Sequence, residues 1–183
     1  MQVSIVVCCY NEELLIERCI RSLLSQKTSF DIEIIVVDDC STDATPKILK
    51  KFESEVKVLR NSKNLGIGGA SQKGLEAARG QFFVRVDGDD YVSEYFIQIL
   101  MLAILDEVLG RVAVCCDYYI VSEGGKRIGY VSAIERPLAC GVLYNRDALL
   151  SIGGYNVAMR LFEDKCLRER FEKEFSVINI PIP

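Results

Sequence analysis

The chain is predicted to fold as an α/β domain on a doubly wound sheet, and three observations carry that expectation. Val3 to Cys9 and Ile32 to Val37 are near-continuous apolar runs, the pattern of strands covered on both faces in a parallel sheet. Segments with helical spacing separate the strand-like runs, so each connection is a crossover. The 183 residues, half of them apolar, suit one domain with a sizeable core.

Taken in order, Val3 to Cys9 is the first strand. Asn11 is expected to cap the helix that follows, with Glu12 and Glu13 in its first turn, where the helix dipole favours acids. That helix extends to about Gln26 and turns Leu15, Cys19, Ile20, Leu23 and Leu24 inward. Ile32 to Val37 is the second strand. Ser41, Thr42 and Asp43 offer caps for a helix whose first turn accepts Pro46. Val56 to Leu59 reads as a third strand, and Gly66 to Arg79 as a helix closed by Gly80.

Phe82 to Val86 is a fourth strand and Ser93 to Leu109 a helix. Val112 to Cys116 is the next strand. Gly124-Gly125 then sits between two β-rich arms of a hairpin within Asp117 to Tyr130. Leu138 to Tyr144 is strand-like, Arg146 to Ser151 a helical turn, Glu163 to Lys173 a helix and Phe175 to Ile180 a last strand. There is no internal repeat or linker. The reading is a single domain over 1–183, with a nucleotide-binding first half (1–90) and an acceptor-binding second half (91–183).

Composition excludes several function classes. A net charge of −4 argues against a nucleic-acid surface, which needs clustered Lys and Arg. The longest apolar stretch, Tyr95 to Leu105, is too short to span a bilayer, and Met1 leads into a strand without a basic leader. These features predict a cytoplasmic protein, free or peripheral at the inner face of the membrane; positive mean hydropathy keeps an apolar contact face in view. The eight cysteines form no C-x-x-C pair and are expected to be reduced core residues. Histidine is absent, so a carboxylate, Lys, Tyr or Cys must do any proton transfer near neutral pH.

The run Phe82-Phe83-Val84-Arg85-Val86-Asp87-Gly88-Asp89-Asp90 ends a strand in three carboxylates within four residues. Such a cluster repels itself unless a cation binds, and hard oxygens suit Mg²⁺ or Mn²⁺; the alternative is a solvated acidic turn. Ligands in open α/β sheets bind beyond the carboxyl ends of strands. Three polar clusters fall at such ends: Tyr10-Asn11, Asp38-Asp39 and the Asp87 to Asp90 loop. An aromatic there can stack on a base, a carboxylate can accept from a base or ribose, and a metal loop can take a diphosphate.

In this order the residues resemble the inverting glycosyltransferases of family 2, with the GT-A fold. The matching segments are Val3 to Glu12, Glu33 to Asp43, Asn64-Leu65-Gly66, Ala70, Gly74, Gly80, Asp87 to Asp90, Gly153-Gly154-Tyr155 and Glu163-Asp164. The resemblance implies a GT-A mixed sheet flanked by helices. It further implies transfer of a sugar from a nucleotide diphosphate donor, UDP-linked in the first instance, to a hydroxyl of a glycan, glycolipid or other acceptor.

Cys8 and Tyr10 match positions lining the nucleobase pocket, Glu12 and Gly88 lie beside them in the matched segments, and Asp39 matches the acid that reads the base. Either Lys63 or Lys73 is placed to reach a phosphate. Asp87 would face the ribose or sugar, and Asp89 would hold Mn²⁺ or Mg²⁺ with Asp90 as the competing ligand. Asp164 matches the catalytic base, and Glu163 beside it is expected to contact the substrate or nucleotide; by itself Glu163-Asp164 also reads as an ordinary acidic helix start.

Departures from the pattern include Cys8-Cys9 in place of Pro-Thr or Pro-Ser, Gln72 for a common Asn, and Cys40 for a common Gly. The Gln-x-x-Arg-Trp of processive synthases is absent. The matched chain lacks helices that cover the acceptor site in many relatives, so either a homo-oligomer, a partner or a membrane surface is expected to supply that wall, or the acceptor site is open. The alternative function is a catalytically degenerate nucleotide-sugar-binding module acting in a complex.

Overall fold

A computed structural model describes residues 2–105, 112–138 and 140–183. The first strand, β1 (Val3–Cys9), is buried at every position. Its alternating faces fill two separate cores: Val3, Ile5, Val7 and Cys9 point to one side and Val6 and Cys8 to the other. A strand buried on both sides has no polar face to offer, hence its continuous apolar run. β1 pairs in parallel with β2 (Ile32–Asp38) on one edge and β4 (Phe82–Asp87) on the other, and β2 pairs in parallel with β3 (Lys57–Arg60).

Helices cover both faces. α1 (Ile16–Leu24), α2 (Thr45–Leu49, continued by a 3₁₀ turn to Phe52) and α4 (Phe96–Ile104) close the first core. α3 (Gly66–Ala77), α5 (Arg146–Ser151) and α6 (Glu163–Phe171) close the second. Each fully buried Val, Leu or Ile contributes about 1.5–3 kcal/mol, so this double coverage is the main source of stability.

The second half departs from a purely parallel arrangement. β8 (Val142–Asn145) pairs antiparallel to β4, β5 (Ala113–Cys116) antiparallel to β8, and β9 (Val177–Ile180) parallel to β5. The result is a seven-stranded mixed sheet of order β3-β2-β1-β4-β8-β5-β9. β6 (Tyr118–Val121) and β7 (Arg127–Val131) form the expected hairpin around Gly124-Gly125. Asp117 anchors it by accepting from the Tyr130 hydroxyl, the Ala133 amide and Asn179.

Several expectations are corrected. Asn11 does not cap α1: it takes a left-handed backbone (φ +58°), and its Oδ1 accepts from the Thr42 amide in the loop after β2. Residues 12–15 form a turn, and α1 starts at Ile16. The third strand is shifted by one residue, to Lys57–Arg60, and the eighth starts at Val142 rather than Leu138. The helix expected from Ser93 to Leu109 is seen as Phe96–Ile104; 106–109 lie outside the described residues, as does Ala139 in the expected Leu138 to Tyr144 strand.

Gly80 does not cap α3, whose C-terminal flank Ala78 is already extended. It is needed for close approach: a Cβ there would lie 2.5 Å from the Ser4 amide nitrogen and 2.8 Å from the Val3 carbonyl carbon. Backbone cannot step aside cheaply. Gly80→Ala is therefore expected to destabilise the domain by about 1–3 kcal/mol, lowering the melting temperature by roughly 3–10 °C at this size. A melting curve unchanged from the unaltered protein would contradict the close approach.

Candidate active site

Parallel pairing brings the carboxyl ends of β1, β2 and β4 level, with Cys9 opposite Asp38 and Cys8 opposite Asp87. A cleft of about 300 Å³ opens there, lined by Cys8, Tyr10, Glu12, Asp39, Asp87, Gly88 and Asp89 together with residues of the α3 entry. Seven of the residues singled out in the sequence thus meet in one place. Tyr10 is 45% exposed and presents its ring at the cleft.

Asp39 is buried, and its carboxylate organises the cleft wall. Oδ1 accepts from Asn61 Nδ2 (2.7 Å) and the Leu65 amide (2.9 Å), and Oδ2 accepts from the Gly66 amide (2.8 Å). It therefore caps the start of α3 from the end of β2, and Asn64 Oδ1 shares the Gly66 amide at 3.1 Å. Lys73 does not line the cleft; its ammonium donates to Asn61 Oδ1 (2.6 Å) and the Arg60 carbonyl (3.0 Å), supporting Asp39 through Asn61.

The acidic loop is held from several sides. The Gly88 amide donates to the Cys8 carbonyl (3.0 Å), and a Cβ at Gly88 would lie 2.8 Å from the Cys9 Cβ. Arg18 of α1 stacks on Tyr91 and donates to the Asp89 carbonyl (3.4 Å). Burial raises the Asp87 carboxyl above its ordinary range despite the opposing pull of Arg85, and Asp89 adds to the rise. Asp90 is pushed up to about 6 by partial burial and by repulsion from Asp87 and Asp89. Glu12 is raised by burial and by Asp89. Burial likewise pushes the Cys8 thiol up to about 12, so it is a neutral wall rather than a nucleophile.

Among the described residues, no three carboxylates or thiols form a preassembled metal cage. Glu12, Asp87, Asp89 and Asp90 are nonetheless hard oxygen donors, and the charges of Asp87 and Asp89 add to burial in raising the proton affinity of Glu12 and Asp90. That donor set fits a divalent cation whose coordination is completed by a bound diphosphate.

Glu163 and Asp164 open α6 but serve different places. Glu163 is buried and accepts from Arg85 NH1 at 2.8 Å. Asp164 lines a second cavity of about 520 Å³ with Tyr144, Tyr155, Phe162 and Arg168, which shares no lining residue with the cleft. Arg85 is the residue that the sequence reading missed. It lies in the middle of β4, and its Nε stands 3.0 Å from Asp87 Oδ1 as an ion pair. Its signal was available: a lone arginine in an apolar strand, two residues before Asp87 and so on the same face.

Comparison with known proteins decides the family. The sequence profile of glycosyl transferase family 2 matches residues 4–171. The chain belongs to glycosyl transferase family 2. Among its relatives, succinoglycan biosynthesis protein ExoO of Rhizobium meliloti is 41% identical over 91 residues, 49% of this chain and 26% of ExoO.

The fold is that of GT-A glycosyltransferases. TarS 1–349 of S. aureus in complex with UDP superposes with a TM-score of 0.81 at 23% identity, covering 98% of this chain and 58% of TarS 1–349. The mannosyltransferase PcManGT of Pyrobaculum calidifontis, in complex with GDP-Man and Mn²⁺, gives 0.75 at 19%, covering 98% and 55%. This family 2 chain spans 33% or less of the length of the curated relatives it matches.

Two predictions follow from the site electrostatics. Asp39→Asn removes one acceptor from three donors, and is expected to cost about 1–3 kcal/mol of stability with no ligand present; an unchanged ligand-free melting curve would refute the capping role. For Asp90, the folded carboxyl holds its proton more tightly than the unfolded one. Its stabilising contribution is thus full below about pH 4 and disappears as pH rises through about 6. Without metal, Asp90→Asn should melt several degrees above the unaltered protein at about pH 7.5 and level with it near pH 4. Equal melting temperatures at both pH values would contradict it.

Proposed function

We propose that this domain transfers a sugar from a nucleotide diphosphate donor, a UDP-sugar in the first instance, to an acceptor hydroxyl with inversion at the anomeric carbon. The setting is assembly of a polysaccharide, glycolipid or glycan. The observation that carries the reading is the convergence of Tyr10, Asp39, Asp87 and Asp89 on one cleft; Asp164 lines a second cavity, and its neighbour Glu163 is tied to Asp87 through Arg85. Tyr10 offers a stacking face for a base, and Asp87 can accept from a ribose or sugar hydroxyl.

Asp89 and Asp90 would hold Mn²⁺ or Mg²⁺, which neutralises charge on the departing diphosphate. Asp164 would take the proton from the acceptor hydroxyl as its oxygen attacks from the face opposite the diphosphate. A carboxylate suits that role in a chain without histidine. The bound complexes of TarS with UDP and of PcManGT with GDP-Man and Mn²⁺ support the donor and metal classes. The protein would work in the cytoplasm, free or peripheral at the membrane; among the described residues no helix is long and apolar enough to cross a bilayer.

The test is a thermal-shift series of nucleoside diphosphates with and without Mn²⁺, paired with donor-hydrolysis and transfer assays. One nucleotide should stabilise the protein in a metal-dependent way. Asp164→Asn should keep that shift while losing about 10²–10⁴-fold in turnover. A metal-dependent shift with no turnover by the unaltered protein would favour the binding-module alternative, and no shift with any nucleotide would overturn the reading.

A further inference from the structure

Arg85 is 3% exposed, in a strand whose other members before Asp87 are apolar. Burying a guanidinium is costly unless it is paired, and an apolar side chain of similar size would fill the space without that cost. Arg85 is paired twice. One edge meets the donor loop: Nε lies 3.0 Å from Asp87 Oδ1, and NH2 is 3.5 Å from Asp87 Oδ2. NH1 meets two helices on the same face of the sheet, donating to Glu163 Oε1 of α6 (2.8 Å) and to Ser71 Oγ of α3 (3.1 Å). The Tyr155 ring covers it, with the guanidinium carbon 5.7 Å from the ring centroid.

The start of α6 supplies an independent observation. No side chain caps it, and the residue before it, Phe162, sits in the left-handed region at φ +59° with its ring 71% exposed. Within that first turn Asp164 Oδ1 accepts from the Lys165 amide (2.7 Å), and the buried Arg85–Glu163 pair is what ties the turn to β4. Successive residues on a helix point about 100° apart. With Glu163 drawn inward to Arg85, Asp164 is turned toward the cavity formed with Tyr144, Tyr155 and Phe162.

We propose that Arg85 is a positioning residue: by holding Asp87 and Glu163 on one guanidinium, it fixes the orientation of Asp164 relative to the donor loop. This rests on the sugar-transfer reading above. Lysine would not replace it, because a single ammonium cannot present two edges to two carboxylates.

Glu163→Leu is the decisive variant, since it breaks the link to α6 while leaving Arg85 paired with Asp87. Folding is checked by the melting curve, and Glu163→Gln, which keeps an acceptor for Arg85, serves as the conservative rescue. The readouts are nucleoside-diphosphate affinity with Mn²⁺, and kcat and KM for hydrolysis or transfer from UDP- and GDP-linked sugars. Glu163→Leu should bind the nucleotide within about threefold of the unaltered protein, with donor KM little changed. Its kcat should fall about 10–100-fold, the scale of a displaced catalytic group, and Glu163→Gln should recover most of that loss.

A Glu163→Leu protein with kcat within twofold of the unaltered one overturns the proposal while leaving the sugar-transfer reading intact. Equal losses in affinity and kcat would reduce the pair to a structural role and also overturn it. If Glu163→Leu does not fold, Glu163→Gln and Arg85→Lys decide: the proposal requires Arg85→Lys to lose kcat with nucleotide binding kept, and Glu163→Gln to lose little. Should the unaltered protein turn over no donor, the sugar-transfer reading fails, and the positioning role fails with it.

Discussion

The parallel pairing of β1 with both β2 and β4 is the constraint on which the site depends. Because β1 is buried at every position, its register with each neighbour is set by two cores at once. A one-residue slip would exchange the faces of the strand and place core residues against the wrong helices. The same register sets Cys8 beside Asp87 and Cys9 beside Asp38, so the three chain turns that follow these strands open in one direction. The cleft is a geometric consequence of that core. Gly80, packed against β1 backbone, and Gly88, packed against Cys9, are the places where the chain comes too close for a side chain.

How much of this could be read from the sequence depended on whether the deciding contact was local. β1, β2 and β4 were legible because burial on both faces writes an unbroken apolar run. The hairpin around Gly124-Gly125 was legible because turn chemistry is local. The start of α1 was not. Asn11 has the side chain of a cap, yet Thr42, thirty-one positions away, takes that side chain instead. Asp39 shows the converse: its residue type was singled out as a reader of the base, while its partnership with the Leu65 and Gly66 amides became visible only in three dimensions.

Site residues divided along the same line. Those at strand ends were legible as neighbours, because topology alone brings strand ends together. Arg85 was passed over because its meaning lies in Glu163, seventy-eight positions later. Glu163 and Asp164 were read as one acidic pair, whereas the helix separates them. One is spent on a buried ion pair and the other is left facing a cavity. Lys73, expected at a phosphate, is engaged by Asn61 and so belongs to the support of Asp39.

The electrostatics of the cleft then constrain what can bind there. Glu12, Asp87, Asp89 and Asp90 bring negative charge to one region; beside them Arg85 is already shared between Asp87 and Glu163, and Arg18 donates to the Asp89 carbonyl. A diphosphate approaching that region alone would meet like charge from the ionised carboxylates, the same repulsion that, with burial, raises the Asp87 and Asp90 carboxyls. On the proposed function, a divalent cation would reverse the sign of the problem by drawing carboxylates and phosphates to the same centre. Charge neutralisation would then fall to the ion, and the Arg85 network, which ties β4 to α6 through Glu163, would be left to fix geometry.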